Sequence, residues 1–180
     1  MLETMFKDEI INKALFFAID AHKNQKIKYP ENMPYSTHIV GVLLTAINYV
    51  KGSDLDLTFL AQVALLHDTL EDTSVIYGDI LKTFGKEVAD GVLALTKNEK
   101  LSKETQMIDC IKRIKLQPKE VAIVKLADRY FNTRCRVPIW STEKQNHYIE
   151  EAQLICDELG YASLELKNKL QLNIKTLKNN

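Results

Sequence analysis

Residues 65–73 read Leu-Leu-His-Asp-Thr-Leu-Glu-Asp-Thr, and they close an apolar segment with helical spacing. At 3.6 residues per turn, Glu71 follows His67 by about one turn. Asp72 follows Asp68 in the same way if the helix continues that far. Carboxylates are rarely left unpaired against an apolar core, so a polar cluster here requires a cation or a water network. A solvated turn after the helix would explain the same residues, and the stretch alone leaves both interpretations open.

The composition predicts one globular domain. The chain has 180 residues, 24 basic and 24 acidic side chains, and 46% hydrophobic residues. Domains commonly contain about 100–200 residues, and a chain of this size can bury a full core without disulfides. Zero formal net charge, with no basic stripe interleaved with aromatic residues, argues against binding of nucleic acid.

The cysteines and the hydropathy pattern predict a cytoplasmic protein. Cys110, Cys135 and Cys156 are widely spaced and form no CxxC pair, which is typical of reduced thiols. The N-terminus has no basic region followed by an apolar run, and no stretch approaches the roughly 18 apolar residues of a spanning helix. We therefore expect a soluble, unexported protein that makes no contact with a membrane.

Apolar residues recur at helical spacing along most of the chain. We predict a single all-α domain over residues 1–180, built from roughly nine helices, with a core over about 7–160 and a C-terminal helix over 162–177. Ser36 or Thr37 is expected to cap the second helix. The sequence contains no alternating strand segment, internal repeat or low-complexity tract.

Four residues of metal-ligand type lie on or beside apolar helical faces: His38, His67, Asp68 and Asp128. They form a mixed nitrogen and oxygen donor set. Four such ligands would saturate a tetrahedral zinc ion, whereas an octahedral ion such as manganese would keep one or two water positions open. Ferrous iron is the next candidate. Sequence order does not show that these side chains meet, and each is compatible with an ordinary structural role.

Four motifs carry a resemblance to a known family. They are YSTH at 35–38, LLHDTLEDT at 65–73, FG at 84–85 and KLADRYFN at 125–132. Together they resemble the HD-domain hydrolases, most closely the hydrolase module of the RelA/SpoT family. Within that family the chain is most similar to the stand-alone, animal-type small alarmone hydrolases. The likeness extends from the first helix to about Leu159, and the combination of HD, ED and KLADxxxN is far more specific than HD alone.

The resemblance implies a helical HD domain that binds one manganese ion and hydrolyses the 3′-pyrophosphate of guanosine tetra- or pentaphosphate (ppGpp or pppGpp) to GDP or GTP. The family's metal-ligand positions match these residues: His38, His67, Asp68 and Asp128. Glu71 and Asp72 match the carboxylates that position and activate the attacking water, and adjacent carboxylates are expected to raise each other's pKa. Because bifunctional relatives continue into a synthetase domain and this chain stops at Asn180, we expect hydrolysis without synthesis.

A polyanionic substrate on a protein of zero net charge requires cations concentrated at the pocket. The expected substrate-binding residues are Lys28, Lys103, Arg129, Asn132, Lys144 and Tyr148; the resemblance implies the nucleotide contact of Asn132, and Lys28 and Lys144 match family positions. Lys97 and Lys100 are further candidate cations. Lys144 and Tyr148 lie one helical turn apart, so Tyr148 could stack on the sugar or base while Lys144 meets phosphate. Ile27 replaces a customary basic residue of the family, and for each lysine a solvated surface charge is an equal alternative.

Two other functions fit the same residues. One is an HD-type phosphatase acting on another phosphorylated nucleotide, such as the 2′-phosphate of NADPH, because both substrates present a phosphorylated ribose flanked by phosphates. The other is a non-catalytic module that binds alarmone, although such a module does not need Glu71, Asp72 and Asn132. In each case the partner is a small-molecule nucleotide, and the oligomeric state is left open.

Overall fold

Helices make up most of the computed structural model, which describes residues 8–27, 32–50, 54–135 and 140–178. The helices are α1 (Asp8–Ala21), α2 (Ser36–Asn48), α3 (Leu57–Leu66), α4 (Thr69–Asp72), α5 (Tyr77–Phe84), α6 (Lys86–Leu95), α7 (Lys103–Ile114), α8 (Lys119–Cys135), α9 (Thr142–Leu159) and α10 (Leu164–Lys178). Strand β1 (Lys26–Ile27) pairs antiparallel with β2 (Met33–Pro34).

This architecture confirms the all-α prediction for the described part of the chain. The roughly nine predicted helices correspond to the helices α1–α3 and α5–α10 of the described residues, while α4 is a single turn that the prediction does not include. The β1–β2 ladder is absent from the prediction because two residues per strand are too few to produce an alternating pattern. None of the described helices is both long and apolar enough to cross a bilayer.

Helix α3 lies at the centre of the packing. Every residue from Phe59 to Leu66 is buried, and the helix packs against α1, α2, α6 and α8. The Asp56 carboxylate caps its N-terminus by accepting a hydrogen bond from the backbone N–H of Phe59 at 2.9 Å. A helix that is apolar on all sides must be enclosed by other elements. The neighbouring helices therefore fix the position of α3 from every direction.

The chain continues beyond α3 along a nearly helical path. His67 and Asp68 interrupt the regular helix but keep right-handed backbone angles. The backbone N–H of Asp72 donates to the carbonyl of Asp68 at 2.9 Å. Asp72 therefore does lie one turn above Asp68, as the spacing predicts, although α3 and α4 are two helices rather than one.

The beginning of α2 differs from the prediction. Its N-cap residue is Tyr35, which makes no side-chain capping bond, so the expectation that Ser36 or Thr37 caps this helix is wrong. The Thr37 hydroxyl donates instead to the carbonyl of Pro34, the last residue of β2, at 2.8 Å. This bond ties the first turn of α2 to the β1–β2 ladder.

Helices α2 and α8 approach closely at Gly41. A Cβ atom on Gly41 would lie 2.2 Å from Cε2 of Phe131. The Phe131 ring in turn packs edge-on against the His38 imidazole, with ring centroids 5.4 Å apart. The absence of a side chain at Gly41 therefore allows α2 to sit against α8 at the level of His38.

We expect Gly41→Ala to lower the free energy of unfolding by about 1–3 kcal/mol, because the added methyl group forces the Phe131 ring to move. Chemical denaturation measures this change. Gly78→Ala is the matched control, since Gly78 is exposed in the first turn of α5 and a Cβ there makes only an ordinary contact. The control should keep or slightly raise stability. Equal stability of Gly41→Ala and the unaltered protein would contradict the close-approach interpretation.

Candidate metal centre

Two histidines and two aspartates from α2, the α3–α4 junction and α8 converge on one point. The Nε2 atoms of His38 and His67 lie 3.2 Å apart. Asp68 Oδ2 lies 3.2 Å from the first of these nitrogens and 3.0 Å from the second. Asp128 Oδ1 lies 3.4 Å and 3.9 Å from the same two nitrogens. The structure therefore brings together all four residues that the sequence analysis selected as candidate ligands.

The hydrogen bonds of this cluster fit a divalent cation. His67 Nδ1 lies 2.8 Å from the carbonyl oxygen of Ala64. A ring N–H held by a carbonyl leaves the opposite nitrogen with a lone pair, which is the usual arrangement of a metal-binding histidine. That opposite nitrogen, Nε2, is the one that faces His38 and the carboxylates. Two imidazole nitrogens with two carboxylate oxygens form a donor set suited to manganese, iron or zinc.

Burial and charge act in opposite directions on the two imidazoles. Burial lowers the pKa of His38, but the hydrogen bonds and charges of Asp128 and Asp68 outweigh it and raise the pKa to about 9. The pKa of His67 is raised for the same reason. Burial raises the pKa of each carboxyl, yet the imidazoles hold the pKa values of Asp68 and Asp128 below the usual range, with Lys125 contributing at Asp128. Without a cation, a proton on His38 offsets part of the buried carboxylate charge.

Asp128 is held by two neighbours on its own helix. Asn132 Nδ2 donates to Asp128 Oδ1 at 2.6 Å, and the buried Lys125 Nζ lies 3.8 Å from Asp128 Oδ2. Within the described residues, the buried Oδ1 of Asn132 has no hydrogen-bond partner. This amide oxygen is therefore available to accept a hydrogen bond from a molecule in the site.

Asp68 and Asp72 share a contact that the sequence analysis missed. The Tyr35 hydroxyl donates to Asp68 Oδ2 at 2.6 Å and lies 3.0 Å from Asp72 Oδ2. The His22 ring stacks on the Tyr35 ring with centroids 4.6 Å apart, and the Gln25 amide donates to the backbone carbonyl of Asp72. Tyr35 is part of the YSTH motif, but the sequence does not show that its hydroxyl group binds Asp68 and Asp72, which lie more than 30 residues further along the chain.

Glu71 and Asp72 lie at the solvent-facing rim of the cluster. Glu71 Oε2 accepts a hydrogen bond from the backbone N–H of Lys97 at 2.9 Å. Burial of its carboxyl group raises the pKa of Glu71, as does the charge of Asp68, against the opposing effect of Lys125. Burial and Asp68 also raise the pKa of Asp72. Both pKa values shift in the expected direction, but burial is the largest cause, and the contributing carboxylate is Asp68 rather than the other member of the Glu71–Asp72 pair.

Four of the expected substrate contacts differ widely in their surroundings. Asn132 lies in the cluster, and Lys103 is exposed at the first turn of α7. Lys144 Nζ lies 4.3 Å from the centroid of the Trp140 ring, and that ring packs edge-on against Tyr148 with centroids 5.0 Å apart. The fifth, Lys28, lies outside the described residues.

Arg129, the sixth, is buried beneath Tyr148. Its guanidinium carbon lies 3.8 Å from the centroid of the Tyr148 ring, and its Nη2 donates to Glu151 Oε2 at 2.9 Å. Only 3% of the residue is exposed. Glu151 Oε1 also lies 3.8 Å from Lys97 Nζ. Arg129, on α8, therefore supports the Tyr148 ring and connects α8 to α9 through Glu151.

A helical domain in which histidines and aspartates of separate helices converge in this way defines the HD-domain class. A family model for the HD domain matches residues 14–162, and the chain belongs to this family.

Curated relatives confirm the narrower resemblance to the stand-alone hydrolases. The guanosine-3′,5′-bis(diphosphate) 3′-pyrophosphohydrolase MESH1 of Danio rerio is 31% identical over 169 residues, covering 90% of this chain and 91% of its own. Its Xenopus tropicalis counterpart is 32% identical over 170 residues, covering 89% and 90%. A solved structure, described as a metazoan ortholog of SpoT that hydrolyses ppGpp and plays a role in starvation responses, matches with a TM-score of 0.77. It is 25% identical and covers 93% of this chain and 94% of its own.

The affinity for a divalent metal should rise with pH. A cation must displace the proton on His38, whose pKa in the metal-free protein is about 9. The proton competes below that pH and no longer competes above it, so we expect the affinity for Mn²⁺ to fall by up to about tenfold per pH unit below pH 9 for one displaced proton. Calorimetric titration in buffers of different ionisation enthalpy measures the affinity and the protons released. The control His147→Gln alters a half-exposed histidine on α9 and should keep the same change of affinity with pH. An affinity of the unaltered protein that does not change with pH would contradict the assignment of His38 as a metal ligand.

Proposed function

We propose that the protein hydrolyses the 3′-pyrophosphate of guanosine tetra- or pentaphosphate and releases GDP or GTP with pyrophosphate. The observation that carries the proposal is the meeting of two imidazoles and two carboxylates beside Glu71 and Asp72. Its support is twofold, because this donor set suits metal-assisted hydrolysis and relatives of about the same length carry this enzyme name.

In this proposal four residues would hold one divalent cation: His38, His67, Asp68 and Asp128. We propose manganese, with ferrous iron as the alternative, because a mixed imidazole and carboxylate set with open positions suits either ion. When bound, such a cation polarises phosphoryl oxygens and lowers the pKa of a coordinated water.

Glu71 then acts as the general base. Its raised pKa makes the carboxylate a better proton acceptor near neutral pH, and the Lys97 N–H holds one of its oxygens at 2.9 Å. The attacking water transfers a proton to Glu71 while its oxygen bonds to the phosphorus attached to the ribose 3′-oxygen. The bond from that phosphorus to the 3′-oxygen breaks, the 3′-oxygen takes up a proton from solvent, pyrophosphate leaves, and Glu71 then releases its proton to solvent.

Asp72 assists by orienting the water. Its carboxylate lies 3.0 Å from the Tyr35 hydroxyl, and its backbone carbonyl is bound by Gln25. These two contacts restrict the movement of Asp72 beside Asp68. A water molecule placed between fixed carboxylates loses less freedom on reaching the transition state.

For the substrate, we propose that Lys144, Lys103 and Lys28 meet the phosphates and that Asn132 contacts the nucleotide beside the cation. Tyr148 would stack on the sugar or base. Since Arg129 is buried against Glu151, its contribution to binding comes through the Tyr148 ring that it supports.

A substrate panel tests the whole proposal. The purified protein, stripped of metal and resupplied with Mn²⁺, Fe²⁺, Zn²⁺ or Mg²⁺, is incubated with ppGpp, pppGpp, NADPH and a 3′-monophosphorylated nucleotide. We expect pyrophosphate release from ppGpp and pppGpp, fastest with Mn²⁺. Release of phosphate from NADPH alone, or tight binding of ppGpp with no pyrophosphate release in any metal, would overturn the proposal.

We expect Glu71→Gln to reduce kcat by about 100- to 10,000-fold, because the amide cannot accept the proton of the water. Metal binding should be retained, since Glu71 is not among the proposed ligands. Single-turnover kinetics and metal titration measure the two properties separately. Glu87→Gln, which alters an exposed carboxylate on α6, is the control for charge. Loss of the metal in Glu71→Gln would refute the division of roles between Glu71 and the ligands.

Asp128→Ala should abolish metal binding and turnover while leaving the helical fold in place, because it removes a ligand oxygen from the centre of the cluster. Metal content by atomic emission and helicity by circular dichroism check the two parts. Asp109→Ala, a partly exposed aspartate on α7, is the matched substitution for metal content. Full activity in Asp128→Ala would show that the assignment of this residue is wrong.

A further inference from the structure

The C-terminal end of α6 is bound by side chains of α7. Helix ends leave carbonyl groups without partners inside the helix. The Arg113 guanidinium donates to the carbonyl of Leu93 and, at 2.7 Å, to the carbonyl of Thr96. The thiol of Cys110 contacts the two carbonyls between them. Helix α7 thus supplies the donors that the end of α6 lacks.

The last of these carbonyls belongs to a peptide group that points away from the helix. Thr96 has extended backbone angles, with φ −74° and ψ 131°, so the following N–H leaves the helical direction. That N–H belongs to Lys97 and donates to Glu71 Oε2 at 2.9 Å. One peptide group therefore accepts from Arg113 through its carbonyl and donates to Glu71 through its N–H.

Because the peptide bond is planar, a hydrogen bond to its carbonyl also fixes the direction of its N–H group. In a trans peptide the C=O and N–H groups lie in one plane and point in opposite directions. Arg113 and Glu71 therefore hold the Thr96–Lys97 peptide from its two sides. Arg113 is itself fixed by Asp109, whose Oδ2 accepts from Nε at 2.9 Å.

We propose that Arg113 is a positioning residue for Glu71 and acts through the Thr96–Lys97 peptide. The inference rests on the proposed function, in which Glu71 accepts the proton of the attacking water. Arg113 belongs to α7, which contributes none of the proposed metal ligands. Its effect on Glu71 is a matter of orientation, because a general base must be held within hydrogen-bond distance of the proton that it takes.

The position of Glu71 explains why such support is needed. Helix α4 is a single turn, and a single turn has few backbone hydrogen bonds to hold its side chains in place. Glu71 also lies at the rim of the site rather than in the core. The Lys97 N–H is therefore an important restraint on its carboxylate, and Arg113 keeps that N–H aimed at Glu71.

Arg113→Met tests the link, because it keeps the length of the side chain and removes its donors. We expect kcat for ppGpp hydrolysis to fall by about tenfold, the effect of losing one hydrogen bond to a charged group, with KM and Mn²⁺ affinity changed less than about twofold. Lys112→Met, at an exposed neighbouring position on the same helix, is the control and should keep kcat. Asp109→Asn should lower kcat in the same direction but by less, and it serves if Arg113→Met does not fold.

A double-mutant cycle separates positioning from general structural damage. In a Glu71→Gln background, Arg113→Met should cause no further loss of the residual rate, because its effect passes through Glu71. Additive losses would overturn the proposal. A normal kcat in Arg113→Met, in a preparation whose unaltered protein is active, would overturn it as well.

Amide hydrogen exchange tests the same link without any activity. The Lys97 N–H should be protected in the unaltered protein and in Lys112→Met, and should exchange about tenfold faster in Arg113→Met. If the unaltered protein hydrolyses no nucleotide, the proposed function fails while this measurement still decides whether Arg113 holds the peptide at Glu71. Equal protection of Lys97 in Arg113→Met and the control would refute the inference.

Discussion

The enclosure of α3 is the constraint on which the rest of the structure depends. All residues from Phe59 to Leu66 are buried, and His67 and Asp68 follow at once, so their positions are set by the packing of apolar side chains. Helices α2 and α8 pack against α3 and against each other, and they carry His38 and Asp128. Close-packed interiors resist displacement. The short distances among the four polar groups are therefore held by the core rather than by the attraction of the groups for one another.

Burial of the four polar side chains costs free energy, which the packing of the apolar core must offset. Burying carboxylates costs free energy unless an opposite charge lies nearby. A proton on His38, whose pKa the two carboxylates raise to about 9, and the buried ammonium of Lys125 provide that charge. A divalent cation would provide it in place of the imidazole proton. The proton on His38 thus stabilises the buried carboxylates, and a cation that binds to the His38 nitrogen must displace it, so stability and cation affinity are linked through pH.

Spacing within a single helix could be predicted from the residues themselves, whereas the meeting of side chains from separate helices could be predicted only through the family resemblance. The interval from Asp68 to Asp72 places them one turn apart, and the backbone bond between them confirms it. The convergence of His38, His67 and Asp128 does not follow from spacing, because it depends on how three helices pack. Tyr35 illustrates the same limit, since its acceptor Asp68 lies on a different element.

The charge pattern of the sequence does not show which of the predicted substrate-binding cations are exposed and which are buried in ion pairs. Arg129 is a predicted pocket cation because a polyanionic substrate needs positive charge, yet here Glu151, on another helix, neutralises it inside the protein. Lys97 is also more than a surface cation, since its backbone N–H binds Glu71 and its ammonium group faces Glu151. Such pairs have no signature in the sequence, because a partner on a separate helix can lie at any interval along the chain.

The residues proposed to bind the cation and the residues proposed to bind the nucleotide lie on different helices. The candidate ligands belong to α2, α8 and the α3–α4 junction, whereas Lys144 and Tyr148 belong to α9. Helices α8 and α9 are joined where the Arg129 guanidinium lies under the Tyr148 ring and pairs with Glu151. Residues that hold a cation determine the class of reaction, and residues that contact the nucleotide determine its identity. In the proposed function, substitutions of Lys144 and Tyr148 on α9 are therefore expected to change the nucleotide that is accepted while the four candidate ligands keep their positions, because the buried Arg129–Glu151 pair still holds α8 and α9 together.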